Sequence, residues 1–407
     1  MRVHREARAH GADIARPWNV ARAAARDLGA RAVRPPTRRL PLEEARGATL
    51  AEDLVALVGV PSYDTSAMDG YAVAGPGPWN VVGRVLAGQR DGHAALRPGQ
   101  AVEIATGAPV PGGTEAVLPY EHALRRGAEV TGEARPGRHV RRAGEETARG
   151  ETVLPAGTSV TPAVLGLAAS LGHDALAVRR PRVAALVTGD ELVHSGLPAP
   201  GTVRDAIGPL LPGMVEWAGA LLEDPRHIGD GFGTMVSELS RIVTAGTVSM
   251  IVVCGASSVG PADHVRGALA ELGARTVVDG VSCRPGHPQL LGHLGSLREP
   301  GPLVVGLPGN PGAALAAAVT LLVPALAALS GRADPTARSP RALPLRGEVE
   351  PHGHDTRLVA VRIEDGHAVP VGHDRPGTLR GAAMADALAV IPPGWSPPEA
   401  ELVWLPR

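Results

Sequence analysis

The chain contains no lysine, so all 40 of its strongly basic residues are arginines. A P-loop nucleotide site needs a lysine that reaches the β- and γ-phosphates, and that class of site is therefore excluded. Aromatic residues make up only 2% of the 407 residues, although 44% are hydrophobic. The cores must consequently be built from Ala, Val and Leu, and a chain of this length is expected to form about two to four domains.

The chain also has few cysteines and almost no net charge. Cys254 and Cys283 lie in apolar segments, so we expect reduced thiols in a cytoplasmic protein. The net charge of −1 argues against a general binder of nucleic acid or membrane surfaces. The arginine-rich residues 1–39 lack an apolar run of signal-peptide length, which argues against secretion. Their composition would fit a transit peptide, but we favour a helix over residues 18–28 that packs on the first domain.

One apolar segment, residues 313–329, reaches about the minimum length of a membrane span. Thr320 and Pro324 interrupt this segment, and it follows a polar, glycine-containing turn. We therefore predict a buried helix of an α/β domain and no membrane partner.

Three short apolar runs each end in a glycine-rich polar turn that precedes a helix-like segment. Residues 183–187 lead into TGDEL (188–192), and residues 250–254 lead into GASSVG (255–260). The third run, residues 303–306, leads into LPGNP (307–311). This pattern predicts an open parallel α/β sheet. Ligands of such sheets bind beyond the carboxyl ends of the strands, where these turns lie.

The second turn has the composition of a phosphate site. Gly255 and Gly260 let backbone N–H groups face outward at a helix start, and Ser257 and Ser258 add hydroxyl groups. Glycine and serine also end strands without binding anything, and for a single loop both interpretations stand. Three such loops in one unit favour a ligand site.

Carboxylates lie among these turns. Asp190, Glu191 and Asp263 would repel a bound phosphate unless a cation bridged them, which suggests Mg²⁺. The alternative is that these acids only cap helices. Asn310 and Pro311 are typical of a helix N-cap followed by proline at the first helical position.

The ordered motifs resemble the molybdopterin molybdenumtransferases, the MoeA/gephyrin group, from about residue 41 to the C-terminus. The segment at 61–73 is similar to the most specific signature of that family. The motifs that carry the resemblance are PSYDTSAMDGYAV (61–73), ATGAPVP (105–111), GEE (144–146), TGDEL (188–192), GASSVGPAD (255–263), RPGHP (284–288) and LPGNP (307–311).

The residue patterns and the resemblance together predict a multidomain α/β plus β protein. Residues 1–60 and 136–180 are expected to form an elongated N-terminal linker domain, with Thr161 and Pro162 starting a helix. Residues 61–135 alternate in short runs and are expected to form an inserted β domain. Residues 181–331 would form the molybdopterin-binding α/β domain, and residues 340–407 a C-terminal β-barrel.

The resemblance implies insertion of molybdate into adenylylated molybdopterin, with Mg²⁺ as cofactor and release of AMP. Taken alone, Asp69 fits a solvated turn residue that caps its own backbone, but the resemblance places it in the active-site cleft. The implied catalytic residues are Asp69, Asp190, Glu191, Asp263, Arg284 and His287, of which the first four are the implied metal ligands. The implied pterin-binding residues are Thr106, Thr188, Gly189, Gly255, Ser257, Ser258, Gly260, Pro285, Gly286, Pro288, Pro308, Gly309 and Asn310.

The chain departs from the family at several basic and polar positions. Arg284 and His287 replace two lysines of the relatives that would hold molybdate, and arginine is not equivalent to lysine. The other departures are Glu146 for aspartate, Ala206-Ile207 for Ser-Asn, Ala256 for glycine, Gly312-Ala313 where a hydroxyl is common, and Ala360 and Pro376 for arginine and serine.

Two hypotheses follow from these departures: an active enzyme with altered basic groups, or a paralogue that binds molybdopterin or a partner protein without inserting metal. Asp263→Asn is expected to abolish activity with little loss of fold. Asp230 is a further candidate cleft acid. The resemblance also implies a homodimer whose cleft combines the β domain of one subunit with the α/β domain of the other.

Overall fold

The centre of the fold is a seven-stranded sheet. The computed structural model describes residues 15–88, 94–255, 264–295, 300–373 and 375–406. The strands of this sheet are Arg182–Thr188 (β1), Leu221–Leu222 (β2), Arg226–Ile228 (β3), Met250–Cys254 (β4), Arg275–Asp279 (β5), Leu290–Gly295 (β6) and Pro300–Leu307 (β7). Their order is β2-β1-β4-β7-β6-β5, and β3 pairs with β1 beyond the end of β2.

The sheet is mixed rather than parallel throughout. Strands β1, β4 and β7 are parallel, as the three strand–turn units predict. Strand β6 runs antiparallel to β7, and β5 runs antiparallel to β6, so the parallel prediction is wrong for this edge. Only residues 296–299 separate β6 from β7 along the chain. A connection of four residues is too short for a parallel crossover, which needs a dozen or more.

Helices cover both faces of the central sheet. Alternate residues of β1 point to opposite faces, so Val183 and Ala185 join one core while Ala184 and Leu186 join the other. The α-helices of the described residues are Trp18–Arg31, Leu42–Ala45, Pro162–Ser170, Leu211–Trp217, Phe232–Ala245, Val265–Glu271, Pro311–Ala317, Val323–Ser330 and Arg380–Met384. Thr161 caps its helix as predicted, since its hydroxyl accepts the Val164 N–H at 3.3 Å.

The apolar segment that approaches membrane-span length is a core helix. A continuous helix runs over Pro311–Ser330 and is the one candidate for a membrane span among the described residues, but 89% of its most apolar 18-residue stretch is buried inside the protein. Its middle turn, Ala318–Leu322, is a π-helix that ends two residues before Pro324. Proline lacks an N–H and clashes with the carbonyl four residues back, and a wider turn relieves both problems. The prediction of a buried helix is confirmed.

The N-terminal helix Trp18–Arg31 packs against the Pro311–Ser330 helix. The expectation that it packs on the first domain is therefore wrong. Its buried face carries Ala21, Ala25 and Gly29, whose small size lets two backbones approach closely. Trp18 fixes the contact from one end, because its indole Nε1 donates to the Thr320 hydroxyl at 3.0 Å.

Replacement of Gly29 by alanine should destabilise the protein. A Cβ atom at Gly29 would overlap the backbone carbonyl oxygen of Ala325, and overpacking of this kind costs about 1–3 kcal/mol. Gly166 is the matched control, because it lies exposed in helix Pro162–Ser170 and a Cβ there meets nothing within 4 Å. Gly166→Ala should stabilise by up to about 1 kcal/mol. Urea unfolding of both variants checks the opposite signs, and equal effects would contradict the packing argument.

Six strands between residues 70 and 132 form a separate sheet inside the predicted β-domain range. The strands are Gly70–Val73, Trp79–Val85, Gln100–Ile104, Ala116–Pro119, Ala123–Arg126 and Glu129–Gly132. Three small sheets flank this region, and they are built from Arg38–Pro41, Thr49–Leu50, Leu54–Val55, Thr65–Ser66, Val140–Arg141, Thr152–Leu154 and Ala175–Arg179. Residues 45–56 and 160–178 share one hydrophobic core, so two distant chain segments fold together. The exact domain limits stay predictions.

The C-terminal strands belong to a sheet that reaches into the rest of the chain. Five of its strands are Ala342–Pro344, Thr356–Glu364, His367–Pro370, Ala387–Ile391 and Glu399–Trp404. Two further strands, Val281–Arg284 and Arg16–Pro17, extend the sheet beyond Thr356–Glu364. Leu345 bridges Ala368 and so brings the first and third C-terminal strands together. Closure into a barrel stays a prediction.

A short pair of strands forms a separate sheet between the end of β1 and the helix Leu211–Trp217 in the chain. Leu192–Val193 and Val203–Arg204 run parallel to each other, and the Asp205 N–H donates to the Val193 carbonyl at 3.0 Å. This pair sets the position of the residues that follow each strand.

Candidate active site

A cavity of about 730 Å³ lies beyond the carboxyl ends of β1, β4 and β7, and we call it the strand-end cavity. The predicted site residues that line it are Thr188, Gly189, Glu191, Gly255, Pro288, Pro308, Gly309 and Asn310. Three sequence-distant turns therefore meet in one cavity, as expected for ligand sites of open α/β sheets.

The floor of the strand-end cavity is backbone, and glycine is required there. Gly255 has φ +89°, and a Cβ atom at this position would lie 2.7 Å from the Thr188 hydroxyl oxygen. The hydroxyl of Thr188 donates to the Cys254 carbonyl at 3.3 Å, which ties the end of β1 to that of β4. Gly309 abuts Gly255 from the third loop. The close approach leaves main-chain groups, rather than side chains, facing the ligand space.

Four carboxylates lie at or beside the strand-end cavity. Glu191 folds over Gly189, and Asp205 and Asp230 complete the acidic wall. Asp190 lies beside it. Its N–H donates to the Asp230 carboxylate at 3.3 Å, and the Asp230 N–H donates back to the Asp190 carboxylate at 3.2 Å.

The sequence alone identified two of these acids clearly. Asp230, the further candidate acid, lies at the cavity because it follows β3, the neighbour of β1, by two residues. Asp205 was missed as a site residue because the strand before it is only two residues long. A strand of two residues is too short to show the alternation of apolar and polar residues that identifies a strand in a sequence.

The start of the Pro311–Ser330 helix lies where it was predicted, but it lacks a side-chain capping bond. Asn310 is the N-cap residue and Pro311 is the first helical residue, but the Asn310 side chain makes no capping hydrogen bond. The Pro376 carbonyl takes that role, because it accepts the Gly312 N–H at 2.8 Å. A Cβ atom at residue 312 would lie 2.7 Å from the Thr378 carbonyl oxygen, which explains the glycine at this position.

The RPGHP motif contributes only Pro288 to the lining of the strand-end cavity. Arg284 is an exposed side chain whose Nε donates to the Asp355 carboxylate at 2.7 Å. His287 is also exposed, and its backbone carbonyl accepts the Val281 N–H at 3.0 Å. Of the predicted pterin-binding residues in this motif, Pro285 and Gly286 are not among the cavity-lining residues that the structure describes.

Asp69 and Thr106 contact each other in the β domain, outside the strand-end cavity. One carboxylate oxygen of Asp69 accepts the Thr106 N–H at 2.7 Å and the Thr106 hydroxyl at 3.1 Å. Neither residue is among the described residues that line the cavity. Within one chain, the two predicted halves of the site therefore do not share a cavity.

The predicted residues of the second turn lie outside the described part of the chain. They are Ser257, Ser258, Gly260 and Asp263, together with the departure at Ala256.

Both cysteines are free and buried, in agreement with the expectation of reduced thiols. Burial, and to a smaller extent the charge of Asp205, raises the pKa of the Cys254 thiol far above its usual range. This thiol therefore stays protonated at neutral pH and is a poor nucleophile or metal ligand.

Comparisons with known proteins agree with this geometry. Residues 18–172 match the family model for the MoeA N-terminal region (domains I and II), and residues 184–328 match the probable molybdopterin-binding domain. A protein of Mycobacterium tuberculosis named molybdopterin molybdenumtransferase 2 is 36% identical over 383 residues, which are 89% of this chain and 92% of the relative. A Synechococcus elongatus protein named molybdopterin molybdenumtransferase is 33% identical over 335 residues, which are 77% of this chain and 80% of the relative.

The fold has a counterpart among solved structures. The molybdopterin biosynthesis MoeA protein of Pyrococcus horikoshii aligns with a TM-score of 0.74 at 22% identity, over 96% of this chain and 99% of that one. The identity and coverage of the curated relatives, together with the two domain matches, show that the chain belongs to the molybdopterin molybdenumtransferase family.

Proposed function

We propose that this chain inserts molybdate into adenylylated molybdopterin in the cytoplasm, with Mg²⁺ as cofactor and with release of AMP. The observation that carries the proposal is the convergence of the three predicted turns on the strand-end cavity. Its volume of about 730 Å³ falls within the usual range of small-molecule sites, about 300–1,000 Å³. The curated relatives carry the name of this transferase, which does not favour the binding-only alternative.

The backbone floor of the cavity suits the phosphate part of the substrate. Gly189, Gly255 and Gly309 carry no Cβ atoms, so a phosphate can approach the main chain of these turns directly. The N–H of Gly255 itself already donates to the Leu307 carbonyl at 3.0 Å. The Pro311–Ser330 helix would contribute less, because the Pro376 carbonyl already accepts its Gly312 N–H. We therefore assign the phosphate-binding role mainly to the turn that follows β1 and, on the basis of the sequence, to Ser257, Ser258 and Gly260 after β4.

The acids around the cavity fit a magnesium ion. Asp190, Glu191 and Asp230 are exposed carboxylates, and Mg²⁺ prefers oxygen ligands together with water. The sequence adds Asp263 and Asp69 as further candidates. When bound, the ion would neutralise charge that develops as the phosphoanhydride breaks. The carboxylates themselves would hold the ion and would keep other anions away from this wall of the cavity.

The complete site would be formed by two subunits. Asp69 and Thr106 form a hydrogen-bonded unit that the strand-end cavity of the same chain does not include. A homodimer in which the β domain of one subunit covers the α/β domain of the other would bring Asp69 to the acids of the partner. This arrangement explains why the two halves are separate within one chain.

The overall reaction can be tested directly. Purified protein incubated with adenylylated molybdopterin, Mg²⁺ and molybdate should release AMP, and chelation of Mg²⁺ should stop the release. A standard homologue treated in parallel serves as the positive control. Absence of AMP under conditions in which that homologue turns over would overturn the proposal and support the binding-only paralogue.

Arg284 is proposed to hold molybdate, which is a dianion. Its guanidinium is exposed and would exchange Asp355 for the oxyanion, or bridge both. Arg284→Ala should raise the molybdate concentration for half-maximal rate by about 10-fold or more, because a charge-assisted hydrogen bond contributes about 1.5–3 kcal/mol. The KM for adenylylated molybdopterin should change little.

Arg346 is the matched control for this variant, because it is an exposed arginine of the C-terminal segment that contacts His367. Arg346→Ala should leave the molybdate dependence unchanged. An unchanged dependence in Arg284→Ala would assign molybdate binding to other residues.

A further inference from the structure

Three side chains from three separate segments meet beside the strand-end cavity. His194 follows the strand Leu192–Val193, and Asp205 follows its parallel partner Val203–Arg204. His227 lies in β3, which pairs with the end of β1. Because the two short strands run parallel, His194 and Asp205, the residues that follow them, lie side by side. Strand β3 pairs with the end of β1 and brings His227 next to them. Residues 11 and 22 positions apart in sequence thereby form one cluster, which we call the His-Asp-His cluster.

The carboxylate at the centre of the His-Asp-His cluster is held in place. Asp205 is 8% exposed, and its Oδ1 accepts the N–H groups of Ile207 at 3.0 Å and Gly208 at 2.9 Å. Oδ2 therefore faces both imidazoles, at 3.3 Å from His227 Nε2 and 4.0 Å from His194 Nδ1. Backbone hydrogen bonds to the second oxygen are the kind of support that orients a metal-binding carboxylate.

The spacing of the three ligand atoms fits a transition-metal ion. All three lie within 4.8 Å of one another. Ligand atoms that each lie about 2.0–2.2 Å from a tetrahedral ion are roughly 3.4 Å from one another. The distance of 3.3 Å between His227 Nε2 and Asp205 Oδ2 matches this value. His194 is 45% exposed along its side chain, so this imidazole, which lies 4.0 Å from Asp205 Oδ2, is the ligand that would have to move closer to bind the ion.

We propose that His194, Asp205 and His227 bind a divalent transition-metal ion of the zinc class. Two imidazole nitrogens and one carboxylate oxygen are the donors of zinc sites that keep an open coordination position. Magnesium is disfavoured, because it prefers oxygen ligands only. The site is distinct from the acids proposed to hold Mg²⁺, and it depends neither on that proposal nor on the molybdate reaction.

The position of the His-Asp-His cluster links it to the cavity. Asp205 lines the strand-end cavity, whereas both histidines are exposed to solvent beside it. A bound ion would therefore lie on the outer side of the cavity wall, and its open coordination position would take water or an exogenous anion. Three protein ligands and an open fourth position differ from structural zinc sites, which have four protein ligands.

Metal titration of the full-length protein tests the site. After dialysis against a chelator, the protein is titrated with Zn²⁺ in competition with a chromophoric chelator, and separately with Co²⁺ monitored by visible absorption. We expect one Zn²⁺ per chain and a Co²⁺ absorption spectrum. His194→Ala and His227→Ala should each weaken Zn²⁺ binding by more than about 10-fold. His122→Ala, which removes an exposed histidine outside the cluster, should not.

A second variant perturbs the carboxylate without removing a ligand. A Cβ atom at Gly208 would overlap the Oδ2 atom of Asp205, so Gly208→Ala should displace the carboxylate and also weaken binding. Thermal melting establishes that each variant is folded. Absence of stoichiometric binding to the wild type, binding that survives both histidine variants, or an equal loss in His122→Ala would each overturn the proposal.

Discussion

Heterodimers of Asp69→Asn and Glu191→Gln chains should regain activity that neither variant has alone. Each substitution removes one charged group from the proposed cleft, and each homodimer should lose activity by about 100-fold or more. If one subunit supplies Asp69 and the other supplies Glu191, a heterodimer contains one cleft with both substitutions and one cleft with neither. The isolated heterodimer should therefore turn over at about half the wild-type rate.

Co-expression of the two chains with different affinity tags isolates the heterodimer, and AMP release measures its rate. The matched control pairs Asp190→Asn with Glu191→Gln chains. Because both acids lie on the same loop of the α/β domain, every cleft of that heterodimer keeps one substitution. No recovery is expected in the control under any subunit arrangement. No recovery in the Asp69/Glu191 heterodimer would place both acids in a cleft of one chain.

Asp334→Ala should lower the free energy of unfolding by about 3–5 kcal/mol, because it leaves a buried cation without its partner. The Arg22 side chain is only 4% exposed, and its guanidinium donates to the Asp334 carboxylate at 2.7 Å. It also donates to the Thr336 hydroxyl and to the Val319 carbonyl. Burial lowers the pKa of Arg22 to about 10, with Asp334 acting in the opposite direction, so the charge persists at neutral pH.

Two controls separate this effect from ordinary side-chain loss. Arg22→Met combined with Asp334→Ala removes the unpaired charge and should be less destabilised than Asp334→Ala alone. Glu133→Ala breaks an ion pair with Arg135 in which both side chains are 76% exposed, and it should cost less than about 1 kcal/mol. Urea unfolding measures all three variants. A cost below about 1 kcal/mol for Asp334→Ala would show that water reaches Arg22 in the folded protein.

The sequence predicted the part of the cavity that depends on local pattern. The apolar runs that end at Thr188, Gly255 and Leu307 can be recognised in the sequence. A parallel strand that is buried on both faces is an almost unbroken hydrophobic run, and the turn after it contains glycine. The same reasoning predicted the acids next to these turns. It also predicted that the Pro311–Ser330 helix is buried, because its short apolar length and its interruptions at Thr320 and Pro324 argue against a membrane-spanning helix.

Features that depend on tertiary pairing were not visible. The antiparallel direction of β6 follows from a short connection, but its apolar sequence resembles that of a parallel strand. The partner of the Trp18–Arg31 helix is far away in sequence, with 302 positions between Trp18 and Thr320, and nothing local identifies it. His194, Asp205 and His227 lie in short or irregular segments, so only the fold brings them together.

Arg284 lies in a strand whose hydrogen bonds cross the border between two parts of the chain. The strand Val281–Arg284 pairs with Arg16–Pro17 along its first half and with Thr356–Glu364 along its second half. The C-terminal segment therefore shares a sheet with the rest of the chain and is not a separate folding unit. A chain truncated before Asp355 would leave the Arg284 half of this strand as an unprotected sheet edge, which invites self-association, and would remove the counterion Asp355 at the same time.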